Sequence, residues 1–87
     1  MRILYVTSMF QGEIERDIGL IGRLGAKHDV TVKMGSERLA RDLELASRDG
    51  GIYDCLIFNL KRTNENFSLI ESARRKYPRM KVFDISR

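Results

Sequence analysis

The stretch Tyr53-Asp54-Cys55-Leu56-Ile57-Phe58-Asn59-Leu60 decides the fold. It follows a Gly50-Gly51 turn signal and stops at the charged pair Lys61-Arg62. Four consecutive apolar residues, Cys55 to Phe58, fit a strand buried on both faces, the habit of parallel strands covered by helices. A buried helix gives the same run. This segment, however, is short, bounded by glycine and followed by polar residues, which favours a strand. As a central strand it carries Asn59 and Leu60 at its C-terminal end, where open α/β sheets place their sites.

Working outward, Ile3 to Val6 is a second continuous apolar run and reads as the other central strand. Val30-Thr31-Val32-Lys33-Met34 alternates apolar with polar, the pattern of a half-exposed edge strand, and Lys81-Val82-Phe83-Asp84-Ile85-Ser86 reads as the last strand. Between the strands lie three helical segments. In the first, about Glu13 to Lys27, Ile14, Ile18, Ile21 and Leu24 form a buried stripe. Its Glu13, Glu15 and Asp17 fall in the first turns, where the helix dipole favours negative charge. Gly19, Gly22 and Gly25 recur at a spacing of three, which suggests close packing of helix on sheet. A dinucleotide motif needs its glycines in the turn before the helix instead. The second segment runs from an N-cap at Ser36 to about Arg48, with Leu39, Leu43 and Ala46 inward. The third runs from a cap at Asn64 to Tyr77, with Phe67, Ile70, Ala73 and Tyr77 inward and Pro78 as the stop. Strict β-α alternation implies a parallel sheet with right-handed crossovers. The strand characters favour the order 2-1-3-4, an α/β three-layer sheet of the flavodoxin-like kind.

Eighty-seven residues make one small domain, spanning 1–87. At 43% hydrophobic and 32% charged the composition is globular rather than disordered. No apolar run approaches the roughly 18 residues of a membrane span, and the N-terminus lacks the pattern of a signal peptide. A single cysteine, Cys55, excludes an internal disulfide and points to the cytoplasm. With His28 as the one histidine, a protein-only Cys/His zinc site is not expected within one chain, and no cofactor is expected. The net charge of +4 comes from the last third, where residues 61–87 hold eight basic and three acidic residues. Arg74, Arg75, Lys76 and Arg79 cluster there. They read either as a solvated helix face or as a contact for an anion or nucleic acid.

Four pieces of the chain carry a resemblance: Gly35-Ser36-Glu37-Arg38-Leu39-Ala40, the stretch from Tyr53 to Leu60, Ala73-Arg74-Arg75-Lys76-Tyr77-Pro78, and Val82-Phe83-Asp84-Ile85-Ser86. In content and spacing the chain resembles a bacterial response-regulator receiver domain. In that family an aspartate ending the third strand accepts a phosphoryl group, and the matching position here is Asn59. The acidic pair that binds magnesium at the end of the first strand aligns with Thr7 and Ser8. The Ser/Thr that ends strand four aligns with Ser86 and is kept. The resemblance therefore implies a vestigial site at Thr7, Ser8, Asn59 and Ser86 that is not phosphorylated, since an amide lacks the nucleophilicity of a carboxylate and magnesium prefers carboxylates to hydroxyls.

Receiver domains continue into a further helix, strand and helix, which this pattern lacks after strand four. The resemblance thus implies an open edge at Val82, Phe83, Asp84 and Ile85, paired with a second copy or with another protein in signalling or transcriptional control. The alternatives are a small nucleic-acid- or nucleotide-binding protein and a relic of a glycosyltransferase. The latter rests on Met1-Arg2-Ile3-Leu4-Tyr5-Val6-Thr7-Ser8-Met9-Phe10 and Lys27-His28-Asp29-Val30-Thr31-Val32, which are similar to the opening of two-domain glycosyltransferases. Gly12 is the one glycine its first loop offers. Nothing in the sequence itself calls for an enzymatic reaction.

Overall fold

The computed structural model describes residues 1–8, 14–35, 39–48 and 53–86. The chain runs β1 (Arg2–Thr7), α1 (Ile14–Gly25), β2 (Asp29–Met34), α2 (Leu39–Arg48), β3 (Cys55–Asn59), α3 (Asn64–Lys76) and β4 (Lys81–Asp84). All neighbouring strands pair in parallel, in the order β2-β1-β3-β4. This is the parallel α/β fold that the alternation of elements predicts, in the strand order that the strand characters favour. The Ser36 cap, Ala46 in its inward stripe, the Gly50-Gly51 turn and the loop at Gly12 lie outside the described residues and side chains.

The sheet has two unlike faces. Register places Leu4 beside Leu56 and Leu56 beside Val82, with Val6 beside Phe58. These residues join Leu39 and Leu43 of α2 and Ile70 and Ala73 of α3 in the main core. On the opposite face Tyr5 is beside Ile57 and Ile57 beside Phe83. This is the face of α1, because the Tyr5 hydroxyl reaches Asp17 of that helix. Right-handed crossovers dictate the division: the chain moves one way from β1 to β2 and the other way from β2 to β3 and on to β4. Ile3, Leu4, Tyr5 and Val6 are at most 1% exposed, so β1 is buried on both sides as its apolar run requires; β3 is buried at Leu56 and Phe58 on the main-core face and half-buried at Ile57 on the α1 face.

Four local expectations are corrected. Ile18 does not belong to the inward stripe of α1; it is 64% exposed, and the position facing the sheet is Asp17, fully buried, with Ile21 and Leu24 half-buried behind it. Phe67 is not part of the inward face of α3 but 62% exposed, while Ile70 and Ala73 are buried as expected. The glycines of α1 do not mark close packing: a Cβ at Gly22 or Gly25 meets nothing within 4 Å, and one at Gly19 meets only the tip of Arg23. The α3 cap also moves by one residue. Thr63, in extended conformation, accepts from the Asn66 N–H at 3.1 Å, so the hydroxyl rather than the Asn64 amide caps the helix.

The swap of inward position on α1 is measurable in stability. Leu56→Ala, in the core, should cost about 3 kcal/mol. Ile18→Ala should stay within about 0.5 kcal/mol, as exposed substitutions do. Urea denaturation of both variants checks the pair; a loss at Ile18 equal to that at Leu56 would restore the sequence-based stripe.

Candidate functional site at the strand ends

β1 and β3 end side by side, with Thr7 paired to Asn59. From β1 the chain crosses to β2 on one side, and β3 lies on the other, so this is the point where the strand order reverses. Open α/β sheets form their ligand crevice at such a point. Here it is occupied by the protein's own side chains. Asp17, one turn into α1 and with no solvent exposure, accepts three hydrogen bonds. The Tyr5 hydroxyl donates to its Oδ1 at 2.5 Å and the Asn59 amide donates to the same oxygen at 2.8 Å. The Thr7 hydroxyl donates to Oδ2 at 2.6 Å.

The electrostatics follow from this geometry. Burial by itself works against a charge on Asp17. The donors Thr7, Tyr5 and Asn59, together with the charge of Arg16, outweigh it and hold the carboxyl below the usual aspartate range. For Tyr5 burial comes first, and the bond to Asp17 and its negative charge add to it, so the phenol is pushed well above its ordinary range. Asp17 is therefore an anion and Tyr5 a neutral donor throughout the physiological range. Asn59 is also fully buried, and its Oδ1 has no hydrogen-bond partner among the described residues. Its amide nitrogen is committed to Asp17, so the side chain serves as a donor.

The other two strand-end residues do not join this cluster. Ser8 ties β1 to the segment after β3: its N–H donates to the Asn59 carbonyl at 3.1 Å and its hydroxyl accepts from the Lys61 N–H at 3.3 Å. Ser86 does the same from the β4 side. Its hydroxyl accepts from the Leu60 N–H at 2.8 Å and donates to the Phe58 carbonyl at 3.4 Å. Arg62 in turn donates to the Ser86 carbonyl at 3.2 Å. Thr7 and Asn59 thus meet at Asp17, whereas Ser8 and Ser86 flank the backbone leaving β3.

Sequence reading missed the role of Asp17, giving it only as an acid that the helix dipole favours. A signal was present. Tyr5 and Thr7 share one face of a strand buried on both sides, so two hydroxyls had to find an acceptor. Among the described residues no group of three or more His, Cys, Asp or Glu side chains is placed to hold a metal ion. Cys55 is a buried free thiol whose pKa burial pushes up, which makes it inert. Comparison with protein-family models, curated proteins and solved structures finds no match.

The remaining expected contacts lie elsewhere. Arg74, Arg75, Lys76 and Arg79 are exposed at the C-terminal end of α3 and just beyond it. Arg74 is ion-paired to Glu71 at 2.7 Å, and the Lys76 ammonium lies over the Tyr77 ring. On β4, Val82 packs half-buried against the main core, while Phe83 and Asp84 are exposed; Ile85 follows half-buried. No helix among the described residues is long and apolar enough to cross a membrane.

Removing the carboxylate takes away the acceptor that the Tyr5, Thr7 and Asn59 side chains share, so Asp17→Ala should destabilise the fold by about 3 kcal/mol at neutral pH. The sign of its pH dependence is fixed by the lowered pKa of the folded state. The stabilisation is fully present above the unfolded aspartate value near 4 and is lost as pH falls through the folded value. The stability gap between wild type and Asp17→Ala, followed by chemical denaturation, should narrow in acid. A gap that stays constant or widens there would contradict an ionised Asp17.

Proposed function

We propose that this chain is a receiver-like protein-interaction module that carries out no phosphoryl transfer, acting by protein contact in signalling or transcriptional control. The observation that carries the proposal is the β4 edge. It is the outer strand of the sheet and is bordered by two exposed aromatic rings, Phe83 on the α1 face at 52% exposure and Phe67 of α3 at 62%. Unpaired strand edges recruit strands, and aromatic rings are the side chains that most often anchor protein interfaces.

The strand-end cluster supports the absence of phosphoryl chemistry. A phosphoacceptor must be a nucleophile open to the incoming group. Asn59 is a buried amide whose nitrogen is already donated to Asp17. Asp17 is a carboxylate, but it too is buried and accepts three hydrogen bonds, which lower its nucleophilicity. The cluster spends its polar groups on joining α1 to β1 and β3. The resemblance to receiver domains and the strand order 2-1-3-4 fit a domain that keeps the scaffold of that family and uses its surface.

Two experiments test the two halves. Incubated with acetyl phosphate and magnesium, the protein should keep its unmodified intact mass; a phosphorylated species would overturn the first half. A photo-crosslinking residue in place of Phe83 should form adducts in cells, while one in place of the exposed Glu44 on α2 should not. Equal labelling from both sites, or none from Phe83, would overturn the second.

A further inference from the structure

We infer that the chain binds single-stranded nucleic acid in a cleft between Tyr53 and Tyr77, at the end of the sheet opposite the Asp17 cluster. The four strands begin there side by side. Asp29 N–H donates to the Met1 carbonyl at 3.0 Å, Asp54 N–H to the Arg2 carbonyl at 2.8 Å and Lys81 N–H to the Asp54 carbonyl at 3.1 Å. α3 ends at the same place, and the chain turns from Tyr77 to Met80 before entering β4. Between that turn and the segment leading into β3 lies a cleft of about 290 Å³, lined by Tyr53, Asp54, Lys76, Tyr77 and Arg79. Phe83 and Phe67 take no part in it.

The charge around this cleft is positive after every acid is counted. Among the described residues the acidic groups at this end are Asp29, Asp54 and Glu71. Glu71 is paired with Arg74 at 2.7 Å. The Asp54 carboxylate accepts the Arg2 backbone N–H at 2.8 Å, and the register of β1 and β2 sets Asp29 beside Arg2. Arg75, Lys76, Arg79 and Lys81 are exposed and have no acidic partner among the described residues. With Arg2 they make five cations against Asp29 and Asp54, an excess of three. The α3 dipole favours cations in its last turn, but Arg79 and Lys81 lie beyond the helix. A cluster of this kind on one face is the electrostatic footprint of phosphate binding. The cleft at the other end is mixed: Lys61 and Arg62 share it with Asp84, and Arg62 is tied to the Ser86 carbonyl.

The rings decide the kind of strand. Tyr53 and Tyr77 are half-buried: each packs against the main core and lines the cleft as well. The Arg2 guanidinium stands over the Tyr53 ring at 5.2 Å and the Lys76 ammonium over the Tyr77 ring at 5.9 Å, so each ring has a cation beside it. Aromatic rings in a positive groove hold unpaired bases by stacking, without reading their sequence, while the cations track the backbone. A duplex keeps its bases inside the stack. A run of acidic side chains supplies the charge but nothing for the rings to hold.

Fluorescence anisotropy with a labelled, mixed-sequence DNA strand of about 12 nucleotides should show binding at about 50 mM salt that weakens steeply as salt is raised. Lys76→Gln combined with Arg79→Gln should flatten the log–log salt slope by about 1.4, the share of two phosphate contacts on a single strand. Lys33→Gln combined with Lys61→Gln removes the same charge at the opposite end of the sheet and should leave affinity and slope unchanged. Tyr77→Leu should weaken binding roughly 10-fold, with an unchanged circular dichroism spectrum. The same strand annealed to its complement should bind more weakly, and polyglutamate should not displace the single strand. No binding at low salt, or equal losses from the two charge pairs, overturns the site. Full binding by a folded Tyr77→Leu, a duplex held as tightly as the single strand, or displacement by polyglutamate overturns single-stranded nucleic acid as its occupant.

Discussion

The seat of α1 against the two central strands depends on one buried carboxylate. Asp17 has no contact with solvent, and three hydrogen bonds from Tyr5, Thr7 and Asn59 offset the cost of burying its charge. Those donors come from β1 and β3, so the carboxylate fixes α1 against the two central strands at once. An apolar residue at this position would add packing but would not define where the helix sits along the strands. Directional bonds to Tyr5 and Thr7, two residues apart on one face of β1, do.

The same interaction changes what the fold does. In an open parallel sheet, the point where strand order reverses is a natural crevice for a ligand. Thr7 and Asn59 stand there, paired across β1 and β3, and both are turned to Asp17. Ser8 and Ser86 hold the chain leaving β3 from either side. The polar groups that a substrate would meet are thus engaged in holding the protein together. Among the described residues the outer strand β4 is bordered by an exposed ring on each face, Phe83 on the α1 side and Phe67 of α3 on the other.

The sheet was legible in the sequence because burial on both faces leaves no alternation, and Ile3 to Val6 and Cys55 to Phe58 are continuous apolar runs. The edge character of β2 was equally plain in its alternation. The helix faces were less legible. Ile14, Ile18, Ile21 and Leu24 look like the inward stripe of α1, but Asp17 turns the helix so that Ile18 faces out. A pattern rule counts an aspartate as polar and places it outside; only the two hydroxyls on β1 could have indicated otherwise. Phe67 misled in the opposite sense. Its spacing from Ile70 puts it near the inward face of α3, but it is 62% exposed and lines an open cleft with Asp84 of the outer strand β4. Asn59 and Thr7 were singled out through a resemblance, and their shared partner could not be, because it sits on another element.

The most direct measurement of this account is the carboxyl titration of Asp17, followed by carbon NMR on the folded protein. An ionised, triply hydrogen-bonded anchor should titrate clearly below the ordinary aspartate value of about 3.9. Its chemical shift should move together with loss of the fold. A midpoint at or above that value would mean that the donors do not outweigh burial, and that α1 is held to the strand ends by something other than the Asp17 charge.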